Sequence, residues 1–413
     1  MLNFNDLEFS DKEDKIRVTI YRMFYKEFLK KDLIESIGDF KVKASRIIFG
    51  KKDNEMNEKK LMQFIRKFKK DLTYSLNGNR SIYVDEDLGM PMIGLNFLGI
   101  VDKGSEMIEV KPITNCNADC SFCSVNEGCS SKKQIDFVVD KEYLMKELND
   151  LLEYKKENDM SVWINPHGEP TLYSELVELC DDILANTYVK DITVITNGIL
   201  LNKHLVKELK NTGEKNSKDI NIAISLSGSG KNAKIMGKNY DPDLVIKNIE
   251  YVAKNLHLTI TPVYIKGVNE SDIKKIIELS NKLSEKSRLM FDEEINVNIQ
   301  KFCCNKFGRK PIKEQSWEEF DKDMKRLEQE TGKNLLKPLE KLKDTKTLPK
   351  LCEKNDIINV NIISPGRFEK DKIGVLERKD GNRAVLVLGC KADNGIVKVK
   401  VVQSKYNITI AKS

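Results

Sequence analysis

From residue 101 to about residue 335, short apolar segments alternate with longer segments in which apolar residues recur every three or four positions. The short segments predict strands, and the longer ones predict amphipathic helices. Strands are predicted at residues 107–112, 161–165, 191–196, 221–226, 258–264 and 295–301. Helices are predicted at residues 141–157, 174–185, 202–211, 242–255, 270–285 and 316–330. This alternation indicates parallel strands joined by right-handed crossovers, so we expect an α/β core that forms a partial (β/α)6 barrel over residues 101–335.

The segment before this core has a different pattern, and we expect residues 1–100 to form an α-rich accessory domain. Residues 11–37 carry an imperfect apolar stripe that predicts one long helix, and residues 58–71 predict a second helix. A short apolar run at residues 81–84 follows a turn signal and predicts a strand.

The segment after the core changes to short strands separated by turns. Strands are predicted at residues 357–363, 373–377, 384–388, 395–402 and 406–411. Strands this short and this evenly spaced predict a small closed β-barrel over residues 355–413. The lysine-rich residues 336–354 are expected to form a basic linker.

Composition and charge restrict the class of protein, its cellular compartment and its partners. Its 413 residues are 40% hydrophobic and 32% charged, as in soluble proteins of more than one domain. No run of about 18 apolar residues and no signal-like start is present, so we expect a cytoplasmic protein with no membrane partner. The nine cysteines are an odd number and are scattered, which argues against a disulfide framework. The net charge of +6 is too mild to establish a polyanionic partner by itself.

Candidate chemistry is concentrated in Cys116-Asn117-Ala118-Asp119-Cys120-Ser121-Phe122-Cys123, directly after the first predicted strand of the core. Three thiols at spacings of four and three can turn toward one soft metal centre and leave a coordination position open, as catalytic metal sites require. A structural zinc loop is the alternative, but it needs a second matched pair of ligands, and neither Cys129 nor His167 belongs to one. We therefore expect Cys116, Cys120 and Cys123 to ligate a [4Fe-4S] cluster.

This loop resembles the signature of the radical S-adenosylmethionine (SAM) superfamily, C-x₃-C-x₂-C with an aromatic residue, here Phe122, before the last cysteine. The resemblance implies that the open iron binds the amino and carboxylate groups of SAM. It also implies that an electron from the cluster cleaves SAM to methionine and a 5'-deoxyadenosyl radical, which abstracts a hydrogen atom. An electron donor such as ferredoxin or flavodoxin is implied as a partner.

Two further resemblances follow at the ends of the second and third predicted strands, where cofactors bind in such barrels. His167-Gly168-Glu169-Pro170 resembles the family's Gly-Gly-Glu motif, with His in the first place. It implies that backbone groups and the Glu169 carboxylate hold the SAM amino group, with glycine allowing close approach. Thr196-Asn197-Gly198 resembles the family's Thr-Asn-Gly turn, whose threonine lies near SAM, although an ordinary turn would have the same sequence.

A serine after the fourth strand contacts the methionyl or ribose part of SAM in relatives, and Ser225 matches it better than Ser227 does. The resemblance thus implies a set of residues that bind the cofactor. They are Phe122, Gly168, Glu169, Pro170, Thr196, Asn197, Ser225 and Ser227.

Two residues are candidates for catalytic contact with SAM or substrate. Lys266 lies in Lys266-Gly267-Val268-Asn269, which resembles a turn whose lysine points into the active site of some radical SAM enzymes. A solvated loop lysine is the alternative. His167 is a candidate to assist chemistry, with a structural role as the favoured alternative. Cys303, Cys304 and Cys352 are either reactive thiols or inert buried ones.

The last strands resemble the TRAM domain of RNA-modifying enzymes, a small barrel similar to the oligonucleotide-binding fold. Strand alternation places Lys398 and Lys400 on one face, with valines inward. Basic residues outnumber acids here, as phosphate contact requires. They are Arg367, Lys370, Lys372, Arg378, Lys379, Arg383, Lys391, Lys398, Lys400 and Lys405.

The two resemblances together predict a radical SAM enzyme that modifies RNA, with tRNA as the favoured substrate. Two alternatives stay open at this stage. One is a radical SAM enzyme that acts on a protein, a peptide or a small molecule, with a purely structural C-terminal barrel. The other is a non-catalytic RNA-binding protein with a zinc loop.

Overall fold

The structure is a computed structural model, and it describes residues 7–20, 23–49, 54–238, 240–291, 294–336 and 341–413. The chain divides into two compact units. The first, which we call the accessory unit, consists of Met1–Leu95, Lys132–Lys146 and Leu351–Ser413. The second, the core unit, consists of Asn96–Ser131 and Glu147–Lys350. Among the described residues, no helix is both long enough and apolar enough to cross a membrane.

The elements are numbered in chain order. The strands are β1 (Leu7–Lys12), β2 (Lys15–Ile20), β3 (Phe24–Leu29), β4 (Phe40–Lys43), β5 (Arg46–Phe49), β6 (Leu72–Tyr74), β7 (Arg80–Val84), β8 (Gly99–Asp102), β9 (Met107–Lys111), β10 (Ile135–Val139), β11 (Met160–Ile164), β12 (Val189–Thr196), β13 (Asp219–Ile224), β14 (His257–Ile260), β15 (Val263–Tyr264), β16 (Asn296–Val297), β17 (Gln300–Lys301), β18 (Ile357–Pro365), β19 (Lys372–Arg378), β20 (Gly381–Leu388), β21 (Gly395–Lys405) and β22 (Ile408–Lys412). The helices are α1 (Lys30–Ile37), α2 (Asn54–Phe68), α3 (Lys141–Lys155), α4 (Leu176–Ala185), α5 (Lys203–Asn216), α6 (Pro242–Val252), α7 (Glu270–Phe291) and α8 (Trp317–Thr331).

The core unit contains a seven-stranded sheet in the order β16-β14-β13-β12-β11-β9-β8. All neighbouring strands pair in parallel except β8, which runs antiparallel to β9. The predicted parallel α/β core is therefore present. The fifth predicted strand is broken into β14 and β15, because Pro262 lies between them and has no N–H to donate to a ladder.

The two faces of this sheet differ in polarity. One face carries fully buried aliphatic side chains such as Val162, Ile192 and Ile222, and α4, α5 and α6 pack against β12, β13 and β14. Burial of each such side chain contributes about 1.5–3 kcal/mol. The opposite face carries half-buried side chains, including Trp163 and Thr193. This second face is the inner face of the predicted partial barrel.

Local sequence signals set the helix starts in the core unit. The Asn202 side chain accepts a hydrogen bond from Leu205 N at the start of α5. Asp241 caps α6, whose first residue is proline. Ser316 and Glu319 form a reciprocal capping box at the start of α8.

The accessory unit is built on a six-stranded sheet, β1-β2-β3-β6-β7-β10, and the predicted long helix over residues 11–37 is wrong. The side chains of Ile16, Val18 and Ile20 are buried and alternate with more exposed ones, which is the period of a strand. Glu13 has a φ of 50° in the turn between β1 and β2, and this turn ends any helix there. Among the described residues of this range only those of α1 are helical, whereas the predicted second helix is present as α2.

The C-terminal strands form the predicted closed barrel, in the order β18-β19-β20-β22-β21. Val399 and Val401 point into its core, whereas Lys398 and Lys400 are exposed. The barrel belongs to the accessory unit, since Ala384 N donates to Ile93 O at 2.9 Å.

Four residues of the predicted linker, 337–340, lie outside the described residues. Beyond them, residues 343–346 belong to the core unit and pair with residues 104–106. Glu106 N donates to Lys343 O, and Thr345 N donates to Gly104 O, each at 2.9 Å.

Candidate active site

Three cysteines stand on the loop that follows β9, and all three thiols are free and half-buried. Burial raises the pKa of Cys116 well above its usual value, and the charges of Glu169 and Cys120 raise it further. Burial, followed by the charge of Cys123, raises the pKa of Cys120 to about 12. A positively charged metal centre is what would hold all three as thiolates.

The cysteine loop, residues 116–130, folds back on itself through Asp119. Oδ1 of Asp119 accepts hydrogen bonds from Ser130 N at 3.1 Å and Ser130 Oγ at 2.9 Å. A Cβ on Gly128, whose φ is +103°, would lie 2.2 Å from Ala118 O, so glycine is required for the two limbs of the loop to meet. The loop is therefore a closed structure rather than an open connection.

A second segment, residues 235–237 after β13, supports the loop from the side of Cys120. Ser121 N donates to Ile235 O at 2.8 Å, and Asp119 N donates to Met236 O at 3.3 Å. Sγ of Cys120 lies 3.5 Å from Met236 O. On the other side of Cys120, Glu127 N donates to Sγ of Cys123 at 3.2 Å.

Arg309, which sequence reasoning missed as a site residue, binds the loop from its other side. Its guanidinium donates to Cys120 O at 2.9 Å and pairs with Asp119 Oδ1 at 2.6 Å. Burial of Asp119 opposes its ionisation, but the bonds from Arg309 and Ser130 outweigh burial and lower the pKa of this carboxyl. A signal was present in the sequence, since Gly308-Arg309 follows the last predicted strand of the core, where such sites are built.

The predicted Gly-Gly-Glu-like motif lies directly against the approach to the cysteine loop. A Cβ on Gly168 would lie 2.1 Å from Asn115 O, so glycine is required there. Glu169 N donates to the same Asn115 O at 2.8 Å. The backbone of β11's C-terminal loop is thus in contact with the residue that precedes Cys116.

The Glu169 side chain is buried and accepts four hydrogen bonds. Oε1 accepts from Thr171 N at 3.0 Å, Thr171 Oγ1 at 2.6 Å and Thr196 Oγ1 at 2.5 Å, and Oε2 accepts from Asn197 N at 2.8 Å. Burial raises the pKa of Glu169 despite these bonds. This carboxylate joins the loops that follow β11 and β12. Its predicted contact with the SAM amino group stays a prediction.

The predicted Thr-Asn-Gly turn connects this carboxylate to the cysteine loop. Asn197 Nδ2 donates to Asn117 Oδ1 at 2.8 Å, one residue after Cys116. The Thr196 hydroxyl also accepts from Gly198 N at 3.1 Å, and the Thr196 carbonyl accepts from Ser225 N at 2.8 Å. The structure therefore brings together the cysteine loop, Glu169, Thr196 and Asn197.

The two predicted serines have different surroundings. The Ser227 hydroxyl is buried and accepts a hydrogen bond from Val263 N at 2.9 Å. Ser225 is half-buried and continues the inner face of β13, the face on which a ligand inside the barrel would lie. Ser225 is thus the better placed of the two to contact a ligand.

Phe122 and Pro170 have positions that support the loops around them. Phe122 is buried directly before Cys123. Pro170 begins a single helical turn, Pro170–Leu172, whose start is capped by the Glu169 side chain. Both predicted cofactor contacts stay predictions.

The positions of the two catalytic candidates do not indicate a catalytic role. Lys266 is exposed, and its ammonium lies 3.3 Å from Asp323 and 3.7 Å from Glu319, both on α8. His167 is half-buried, and its ring lies 6.4 Å from that of Phe97. Neither position assigns a catalytic role, so both roles stay predictions.

Three buried polar side chains near the strand ends have no protein partner for their polar atoms: Asn115, Tyr240 and Thr261. Orphaned groups of this kind are costly unless a ligand or water satisfies them. Burial raises the pKa of Tyr240, and the charges of Cys120 and Glu169 raise it further. The donor set therefore fits a site that takes a polar ligand beside the three thiols.

Within the described part of the chain, no group of three or more His, Cys, Asp or Glu side chains is arranged to hold a single metal ion. Thiolates around one zinc ion converge within about 4 Å of one another, since each Zn–S bond is about 2.3 Å. A four-iron cluster attaches each thiolate to a separate iron, so its ligands need not converge on one point.

The chain is similar to proteins of known families over part of its length. The model of the Radical SAM superfamily matches residues 110–280. An uncharacterised protein of Methanocaldococcus jannaschii is 27% identical over 368 residues, which are 83% of this chain and 82% of the relative. A GTP 3',8-cyclase of Clostridium botulinum is 29% identical over 182 residues, which are 42% of this chain and 52% of the relative. Among solved structures, a variant of spore photoproduct lyase has a TM-score of 0.43 at 12% identity, covering 61% of this chain and 79% of that one.

Proposed function

We propose that this chain is an enzyme in which Cys116, Cys120 and Cys123 hold the cluster that cleaves SAM, since the model of the Radical SAM superfamily matches residues 110–280. The cofactors of the family are a [4Fe-4S] cluster and SAM. When bound, the cluster supplies the electron that breaks a carbon–sulfur bond of SAM and produces an organic radical. The reaction needs an external electron donor, and we propose a small protein such as ferredoxin or flavodoxin.

The observation that carries the proposal is the network of hydrogen bonds that fixes the cysteine loop to the ends of β11 and β12. Gly168 packs on Asn115, and Asn197 binds Asn117, so contacts from two strands flank Cys116. Such a network holds reacting groups in fixed positions without any rearrangement on binding.

Within this site we assign different tasks to the predicted residues. Glu169 and Thr196 act as positioning residues, because their side chains are already engaged with each other and with the neighbouring backbone. Gly168, through its backbone, and Ser225 are assigned to contacts with SAM. Phe122 shields the cluster from water.

The test is anaerobic reconstitution with iron and sulfide, followed by reduction with dithionite and measurement of 5'-deoxyadenosine formed from SAM. We expect the wild-type chain to form this product and Cys120→Ala to form none. Cys129→Ala is the matched control, because Cys129 is an exposed thiol of the same loop outside the triad. A fully reconstituted, reducible wild-type cluster that forms no 5'-deoxyadenosine contradicts the proposal.

For the substrate we propose RNA, with tRNA as the first candidate, bound by the outer face of the C-terminal barrel. On this face Lys400 of β21 lies opposite Ile357 of β18 and Lys412 of β22. Lys398 lies two residues away, and all three lysines are exposed, as are the apolar side chains of Ile357 and Val402. Exposed cations grouped on one face suit contact with the phosphates of a nucleic acid. The resemblance to the TRAM domain supports the same assignment.

Two of the basic residues predicted to contact phosphate do not belong to this face. Arg367 and Arg383 are buried, and Arg367 pairs with Asp136 at 2.8 Å. Lys372 is engaged with Asp393 at 2.6 Å. The predicted phosphate set is therefore wrong for Arg367 and Arg383, because their side chains serve the interior of the accessory unit.

RNA binding is tested with surface substitutions, because the barrel is part of a larger unit and its deletion would expose that unit's interior. We expect Lys398→Glu combined with Lys400→Glu to weaken tRNA binding and to reduce the slope of log K against log salt by about 2. Lys207→Glu, at an exposed position of α5 outside the barrel, is the control with the same change of charge per site. Equal weakening by the control and by the face variant contradicts the assignment to this face.

A nucleotide is the second candidate substrate, and it rests on the similarity to GTP 3',8-cyclase. That similarity covers about half of the cyclase, so it transfers no substrate by itself. The assay of 5'-deoxyadenosine decides between the two, with bulk tRNA in one arm and GTP in the other. Stimulation by GTP and none by tRNA would replace RNA with a nucleotide. Stimulation by neither directs the search to proteins and peptides.

A further inference from the structure

We propose that Arg309, in the segment after β17, is a positioning residue that fixes the cysteine loop and that its charge, balanced by Asp119, sets the reduction potential of the cluster. This inference rests on the proposed function, since it assumes that Cys116, Cys120 and Cys123 hold that cluster. It concerns a residue about 190 positions further along the chain, outside the segment that matches the radical SAM model.

The contacts of Arg309 span residues 119–127 of the cysteine loop. Its backbone N donates to Cys123 O at 2.9 Å. Its side chain donates to Cys120 O at 2.9 Å, Asn126 Oδ1 at 2.8 Å and Glu127 O at 2.8 Å, and pairs with Asp119 Oδ1 at 2.6 Å. The Arg309 guanidinium thus binds the carbonyl of Cys120, and the Arg309 backbone N–H binds the carbonyl of Cys123. One residue therefore contacts two of the proposed cluster ligands. The fork geometry of arginine suits such multiple contacts, which lysine cannot reproduce.

The preceding residue makes this close approach of the two chains possible. A Cβ on Gly308 would lie 2.7 Å from Ser124 O and 3.1 Å from Cys123 O, closer than a side chain tolerates. The backbone of residues 308–309 therefore lies directly on that of residues 123–124. Gly308 and Arg309 together form a second support for the loop, in addition to the support from residues 235–237.

The charge of this support lies where it affects the cluster. The Arg309 side chain is mostly buried, so its interaction with nearby charge is weakly screened. Reduction adds one negative charge to the cluster, so a nearby cation stabilises the reduced form and raises the potential. Asp119, which shares this ion pair, has the opposite effect. The pair is close to neutral as a whole, and each member alone would shift the potential in its own direction.

Removing either charge should shift the reduction potential of the cluster, in opposite directions for the two residues. The potential is measured by EPR-monitored redox titration of the reconstituted full chain. We expect Arg309→Gln to make the potential more negative, because it removes a cation and leaves Asp119 unpaired. We expect Asp119→Asn to make the potential less negative. Arg309→Lys keeps the charge but loses most of the hydrogen bonds, so it should lower iron content at least about twofold with a smaller change of potential than Arg309→Gln.

Arg17→Gln is the matched control, because Arg17 forms an ion pair of the same 2.6 Å length with Glu27 in the accessory unit. It should leave both iron content and potential unchanged. A shift in the same direction for Arg309→Gln and Asp119→Asn, or no shift in either, overturns the inference, since loosening of the loop alone has no reason to depend on the sign of the charge removed. If Arg309→Gln retains no cluster, the sign of the Asp119→Asn shift decides.

The outcomes also separate this inference from the function on which it rests. A wild-type chain that takes up no iron overturns the proposed function, and the inference with it. If the wild-type chain cleaves SAM but neither Arg309→Gln nor Asp119→Asn changes the reduction potential, only the inference is overturned.

Discussion

Replacing Glu169 with glutamine changes one atom in a buried carboxylate that accepts four hydrogen bonds. The glutamine oxygen can take the place of Oε1 and keep the three bonds from Thr171 and Thr196. The glutamine NH₂ group then takes the place of Oε2 and faces the backbone N–H of Asn197. Both groups are donors, so the buried N–H of Asn197 loses its acceptor. An unsatisfied buried donor costs about 1–3 kcal/mol, and the other three bonds lose the help of a charge. We expect Glu169→Gln to lower the free energy of unfolding by about 3 kcal/mol.

The assay is chemical and thermal unfolding of the chain without cofactors, followed by tryptophan fluorescence, because Trp163 lies on β11, which leads into this motif. For a unit of this size, a loss of about 3 kcal/mol corresponds to a fall in melting temperature of about 6–12 °C. Glu178→Gln, on the exposed side of α4, is the control with the same chemical change. Unfolding of Glu169→Gln within about 0.5 kcal/mol of the wild type would refute the positioning role, since surface substitutions have effects of that size.

Three further outcomes follow from the same contacts. Gly168→Ala should reduce SAM affinity at least about tenfold in equilibrium dialysis, because its Cβ would lie 2.1 Å from Asn115 O and must displace the backbone that leads to Cys116. Arg367→Ala should destabilise the accessory unit by about 3–5 kcal/mol in urea unfolding, because it leaves Asp136 buried without its cation. Ser225→Ala should weaken SAM binding in the same dialysis measurement while leaving stability within about 0.5 kcal/mol of the wild type, since the hydroxyl is assigned to a ligand and not to the fold. A loss of stability without a loss of SAM affinity would contradict the assignment of Ser225.

The core was predictable from sequence because its signals are local. The strand predicted at residues 191–196 is the second part of β12 (Val189–Thr196), and the helix predicted at residues 316–330 is α8 (Trp317–Thr331) with its capping box. β-Branched runs and caps are readable within a window of a few residues. The spacing of the cysteines and the order of the motifs after the strands are equally local, so the cofactors were predictable too.

The errors concern contacts that no short window contains. The run that includes Ile16, Val18 and Ile20 has apolar residues at both helical and strand spacing, and only pairing with its neighbouring strands decides for β2. The role of Arg309 depends on a loop about 190 residues earlier in the chain. The burial of Arg367 depends on Asp136, which lies 231 positions away. Nothing in the sequence around an arginine indicates whether it meets phosphate or a distant carboxylate.

The accessory unit is assembled from three separate stretches of chain, with the core unit's residues between them. During synthesis on the ribosome, β7 emerges long before β10, its parallel partner, and the barrel that anchors Arg367 emerges last. The edge of β7 therefore stays unpaired until β10 has been made, and the accessory unit stays incomplete until the barrel has been made. Such long-range pairing slows folding and exposes the nascent chain to aggregation. We infer that the core unit is able to fold first and that the accessory unit closes only once translation has reached the barrel.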